Sequence, residues 1–236
     1  MRKAIFMTMS AVILFAFGLL QGQTDMDINE LSRGVVKVII DKTVDNGTGI
    51  VIGQEANKLY ILTASHVIGK SKKISVRFCP INESNLSPRG DLYKGKVVNK
   101  TKFDDRVPKR TDTDLDIAVI EVELPSKDFP IKSFPPIGIG DASRISSFDK
   151  VISLCYFDIG IFAAENKIQM TPLEKKICIT RDSISPGCSG SPIFDEHENI
   201  LGIVLFTDVI GAVATKIDSI LKKLEEWNEN KRRIST

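Results

Sequence analysis

Short runs of β-branched and other apolar residues, separated by polar or glycine-bearing breaks, fill the middle of the chain, and this spacing is that of strands rather than helices. Gly34 to Ile40 and Gly49 to Gly53 flank the turn formers Asp45, Asn46 and Gly47, which predicts a β-hairpin. Tyr60 to Thr63 predicts a further strand that ends just before His66, and Lys73 to Phe78, Lys96 to Asn99 and Ile117 to Val122 predict three more. The polar stretches Pro80 to Asp91 and Lys100 to Asp114 read as excursions between strands. Pro125, Pro130, Pro135 and Pro136 then mark a crossover, because proline interrupts both ladders and helices. Beyond it, Val151 to Phe157, Lys167 to Thr171, Lys176 to Arg181, Pro192 to Phe194, Ile200 to Phe206 and Ala212 to Lys216 predict a second set of strands. Only at the end does the period change. Ile217, Ile220, Leu221, Leu224 and Trp227 recur at helical spacing and predict an amphipathic helix over about 217–230.

Composition narrows the class without changing that picture. The chain has 236 residues, 42% of them hydrophobic, which is enough for a substantial folded core. Its net charge is only +2, and the cluster Lys102, Arg106, Lys109, Arg110 is interrupted by Asp104 and Asp105, so it reads as a solvated loop and no nucleic-acid partner is implied. Met1, Arg2 and Lys3 followed by apolar Ala4 to Leu20 read as the n-region and h-region of a secretory signal over residues 1–23. Leu20, Gln21, Gly22 has a small residue only at its last position, so retention of residues 4–20 as a membrane anchor is the alternative. Either version places residues 24–236 outside the cytoplasm, in the periplasm or secreted, with a membrane partner only if the segment is retained.

Three fragments carry candidate chemistry. Ser185, Pro186, Gly187, Cys188, Ser189, Gly190, Ser191, Pro192 presents a serine between glycines; Thr63, Ala64, Ser65, His66 offers a base; Asp114, Leu115, Asp116, Ile117, Ala118, Val119 offers a carboxylate. A serine hydroxyl is a poor nucleophile at neutral pH unless a base lies in reach and a third group orients that base. Ser189, His66 and Asp116 fit those roles, and the flanking glycines let the Gly187 and Ser189 amides converge where an oxyanion could sit. Asp112 and Asp114 compete for the orienting role, but Asp116 directly precedes the apolar strand. His197 lies in the polar stretch Asp195 to Asn199, with no histidine or cysteine at ligand spacing, so no metal is implied. The chain order is His, then Asp, then Ser, with separations of 116 − 66 = 50 and 189 − 116 = 73 residues.

With Asn46 to Ile52, Leu62 to Ile68, Asp114 to Val119 and Ser185 to Pro192 taken together, residues 34–226 resemble the trypsin-like serine endopeptidases of the chymotrypsin fold. The likeness is greatest to bacterial proteases of the high-temperature-requirement type, without an appended peptide-binding domain. The resemblance implies an all-β fold of two packed six-stranded antiparallel β-barrels with a C-terminal α-helix, the first barrel at about 34–124 and the second at about 137–216. It also implies peptide-bond hydrolysis through an acyl-enzyme, a polypeptide substrate and no cofactor. It places Ser183 at the floor of the pocket for the residue preceding the cut, with Phe206, Gly211 and Val213 among its walls, and hence a preference for small or medium apolar side chains. A catalytically silent binding protein on the same fold is the alternative from another class, and an esterase a third. Four cysteines, Cys79, Cys155, Cys178 and Cys188, permit disulfides in an exported chain. Cys155 with Cys178 is the expected pair, both being in the second barrel, and Cys188 is expected to stay free because a bond there would constrain the nucleophile's loop.

Overall fold

Strand pairing follows from apolar runs that can be covered on both faces. In the computed structural model, which describes residues 26–40, 46–71, 73–78, 92–101, 115–124, 137–157, 160–169, 174–180, 184–207 and 211–234, six such runs close into a barrel. They are β1 (Val35–Ile40), β2 (Asn46–Glu55), β3 (Lys58–Ala64), β4 (Ile74–Phe78), β5 (Leu92–Lys100) and β6 (Ile117–Glu123), joined in the order β1-β2-β3-β6-β5-β4. Val36, Val38, Ile50, Ile61, Leu62, Ile120 and Val122 are fully enclosed. Each such aliphatic side chain contributes roughly 1.5–3 kcal/mol relative to exposure. A short helix, α1 (Ile28–Ser32), precedes the barrel and is capped by the Asp27 carboxylate, which accepts from the Asn29 and Glu30 amides. A second short helix, α2 (Ser65–Ile68), follows β3 directly.

The second half is one antiparallel sheet, β10-β13-β12-β11-β8-β9, built from β8 (Lys150–Phe157), β9 (Gly160–Lys167), β10 (Lys176–Ile179), β11 (Pro192–Phe194), β12 (Asn199–Thr207) and β13 (Ala212–Lys216), with β7 (Gly138–Ile139) parallel to β12. Its two edges meet through an Ile168–Ile179 bridge and the bonds from Gln169 N to Cys178 O and Thr180 N to Lys167 O. The C-terminal helix α3 (Ile217–Ile234) follows β13 and packs Ile217 and Ile220 into the core. The arrangement is the expected chymotrypsin-like one.

Along β8 the two-residue period sorts side chains between two cores. Ile152, Leu154 and Tyr156 pack with the first barrel, while Val151, Cys155 and Phe157 turn into the interior of the second. β9 differs from its expected position at Lys167 to Thr171. It is a half-exposed edge strand whose inward positions are Ala164 and Asn166, so its apolar signal is weak. Asn166 is buried and bonds the Ser153 hydroxyl across the β8–β9 pair. Residues 1–23, the stretch Pro80 to Asp91, and the four crossover prolines lie outside the described residues.

Candidate active site

The β3–β6 register brings the base and the carboxylate together. Ala64 pairs with Ile117, so the residues immediately beyond that pair, Ser65 and His66 on one side and Asp116 on the other, must face each other. Asp116 sits in the left-handed region at φ 49°, its carbonyl accepting from the Ser65 amide at 3.0 Å. Its carboxylate grips His66 twice: Oδ1 accepts from the backbone N–H at 2.8 Å and Oδ2 lies 2.6 Å from Nδ1. The carboxylate is nearly buried, with 6% of its side chain exposed, whereas the imidazole keeps 19% and borders a cleft. A proton on Nδ1 points at Asp116, with Nε2 on the far side of the ring from the carboxylate.

Ser189 is presented by a knot of backbone bonds in the loop between β10 and β11. Cys188 N donates to Ser185 O at 3.1 Å, Ser191 N to Cys188 O at 2.9 Å, and Gly190 N to Val204 O at 2.7 Å. Gly187 and Gly190 take φ of +103° and +88°, conformations that side chains rarely adopt. A Cβ at Gly190 would also collide with the Thr48 carbonyl and the Thr63 hydroxyl. Among the described residues, neither the Gly187 N–H nor the Ser189 N–H donates to a protein acceptor. The Ser189 hydroxyl donates to the Leu205 carbonyl at 2.7 Å. That carbonyl is available because β12 bulges between Val204 and Phe206, which takes Leu205 out of the ladder with β13. His66, Gly187 and Ser189 line one cleft of about 560 Å³, together with Tyr156, Phe157 and Pro186.

Threonine hydroxyls tie the two halves together on either side of this cleft. Thr48 on β2 donates through Oγ1 to Gly187 O at 2.9 Å and through its amide to Ser189 O at 2.9 Å. On the carboxylate side, Thr215 on β13 donates to Leu115 O at 2.7 Å, one residue before Asp116. Sequence reasoning misses both. A polar residue between Gly47 and Gly49 at the start of an apolar run is the only local sign of Thr48.

The cysteines pair differently from expectation. Cys155 and Cys188 form a disulfide with Cα atoms 4.8 Å apart, so Cys188 is not a free thiol and Cys155 is not bonded to Cys178. The cause is strand order: β8 borders β9 and β11, and the loop entering β11 carries Cys188, whereas β10, with Cys178, borders β13. The constraint expected to exclude a bond beside Ser189 instead holds that loop against β8. Of the expected pocket residues, Val213 and Gly211 are buried, Phe206 is half-buried, and Ser183 lies outside the described residues. None of these three borders the cleft that holds His66 and Ser189. Asp112, Asp114 and Cys79 also lie outside the described residues. Among the described residues no group of three His, Cys, Asp or Glu side chains could hold a metal ion.

Comparison with known proteins places this geometry in context. Residues 47–203 match the family model of the trypsin-like peptidase domain. Two Pseudomonas putida proteins, each a probable periplasmic serine endoprotease DegP-like from strains W619 and GB-1, are 26% identical over 164 residues, covering 66% of this chain. The matched region spans only 28% of the length of those curated relatives. The crystal structure of an inactive mutant form of Rv3671c from M. tuberculosis H37Rv superposes with a TM-score of 0.57 at 18% identity, covering 84% of this chain and 88% of that one. At that identity the likeness is one of fold.

Proposed function

Because this chain belongs to the trypsin-like peptidase family, we propose that it is an exported serine endopeptidase in which Ser189, His66 and Asp116 act as the triad. The observation that carries the reading is the doubly held His66–Asp116 pair, 2.6 Å at the ring, bordering the same cleft as Ser189. Ser189 Oγ attacks the peptide carbonyl carbon and passes its proton to His66 Nε2. The negative oxygen is held by the Gly187 and Ser189 amides. The tetrahedral intermediate then expels the amine, which leaves with the proton from His66, and water hydrolyses the acyl-enzyme by the same route. A turn of the Ser189 side chain away from the Leu205 carbonyl precedes attack, since the resting hydroxyl points there.

Substrates are polypeptides, and the periplasmic naming of the relatives together with the Met1 to Leu20 segment supports export. The resemblance assigns Phe206, Gly211 and Val213 to the pocket for the residue before the cut, and although they lie away from the His66–Ser189 cleft itself, none carries a charge, which supports an apolar preference. The Ser189–Leu205 bond favours a second reading, a silent binding protein whose serine stays in that position. Labelling by a serine-directed fluorophosphonate separates the two: Oγ–P bond formation with loss of fluoride is expected in the natural sequence and absent in Ser189→Ala. No labelling of either would overturn the peptidase reading. Fractionation of cells expressing the full chain, with intact mass of the product, tests export and removal of residues 1–23.

A further inference from the structure

We propose that Thr48 is the positioning residue that holds the nucleophile loop in register with His66, a role that rests on the peptidase reading above. Every polar group of Thr48 is engaged, and all but one of its bonds cross between the two halves. Its hydroxyl donates to Gly187 O at 2.9 Å and accepts from Tyr156 N at 3.0 Å, and its amide donates to Ser189 O at 2.9 Å. Its carbonyl accepts from the Thr63 hydroxyl at 2.6 Å, within β2 and β3 of the first barrel. Thr63 lies on β3, three residues before His66. One buried residue therefore touches the strand that delivers the base, the backbone on both sides of Cys188, and the strand that carries Cys155.

The geometry gives these bonds a specific task. The Gly187 and Ser189 carbonyls flank the Cys188–Ser189 peptide, whose N–H is one of the two oxyanion donors. Thr48 thus fixes the two neighbouring peptide planes, and the Ser191 amide, donating to Cys188 O at 2.9 Å, fixes the plane between them, so the oxyanion donor is held in a frame whose ends are tied to Thr48. Gly187 needs this restraint most, because at φ +103° and without a Cβ its own backbone offers little resistance to rotation. Thr48 is fully buried, where an unsatisfied hydroxyl would be costly and an apolar residue of the same shape would carry no such cost. A hydroxyl at this place is explained by its two partners across the interface.

Thr48→Val keeps the shape and the amide and removes only the hydroxyl; Thr48→Ser keeps the hydroxyl. Turnover of a peptide ester is measured per fluorophosphonate-titrated site, so that unfolded molecules do not count. Thr48→Val is expected to lower kcat by about 10²-fold with KM little changed, and to slow the phosphonylation of Ser189 in parallel. Thr48→Ser restores both. Should Thr48→Val fail to fold, Thr63→Val, which frees only the Thr48 carbonyl, is expected to slow phosphonylation, with rescue by Thr63→Ser. Wild-type kcat per titrated site in Thr48→Val, or equal losses in the Val and Ser variants, would overturn the positioning role while leaving the peptidase reading intact. An unlabelled natural protein would remove both.

Discussion

At the scale of single residues, the site is built from side chains whose alternatives are excluded by contact. Asp116 supplies both oxygens to one histidine, so converting it to asparagine replaces an acceptor with a donor facing Nδ1–H. Asp116→Asn is expected to retain the fold and lose about four orders of magnitude in kcat, as in the serine-protease template from which that figure comes; circular dichroism and titrated-site kinetics check both halves. Gly190 illustrates a different constraint. Its φ of +88° alone disfavours a side chain by about 1–3 kcal/mol, and the Thr48 carbonyl and Thr63 hydroxyl occupy the space a methyl would need. Gly190→Ala is therefore expected to lower the unfolding midpoint and abolish fluorophosphonate labelling together, measured by denaturant titration and gel fluorescence. Ser189 itself is legible from its glycine-flanked sequence. The Leu205 carbonyl that accepts its hydrogen bond is not, because a bulge in another strand exposes it.

Elements explain why those residues meet. His66 and Asp116 are neighbours because β3 and β6 pair with Ala64 opposite Ile117, which sets the polar residues at those two strand ends side by side. The strands of the first barrel lie where the apolar runs put them, although β5 begins four residues earlier than expected, whereas β9, with alanine and asparagine at its inward positions, lies away from where the apolar pattern puts it. The disulfide belongs to this scale too. Cys155 faces the second core through the period of β8, and the loop before β11 brings Cys188 to it. The bond closes 188 − 155 = 33 residues, a length for which loop-closure entropy gives roughly 2–4 kcal/mol. Cys155→Ala with Cys188→Ala, or reduction by a dithiol, is expected to lower the unfolding midpoint and slow labelling of Ser189. Cys178→Ala should leave the labelling rate unchanged. A midpoint and rate unmoved by reduction would remove the disulfide from the support of the nucleophile loop.

For the whole molecule, the cleft exists where the two halves face each other, and threonine hydroxyls at 48 and 215 are among the ties between them. The C-terminal helix stabilises this assembly from outside. It packs on β12 and β13 and, among the described residues, contributes nothing to the cleft. Ile220→Ala is expected to cost about 2–5 kcal/mol in denaturant titration while kcat per titrated site stays at its natural value. A fall in kcat per site would mean that the helix transmits strain to the nucleophile loop. Taken alone, the amino-acid sequence determined the strand-rich architecture and the terminal helix and singled out the three candidate side chains, because apolar periodicity and glycine-flanked chemistry are local properties. Only the tertiary structure decided which cysteines bond, which carbonyl receives the resting serine, and that Thr48 joins the two halves. Each of those is a meeting of groups far apart along the chain, set by strand order and register, which no local pattern encodes.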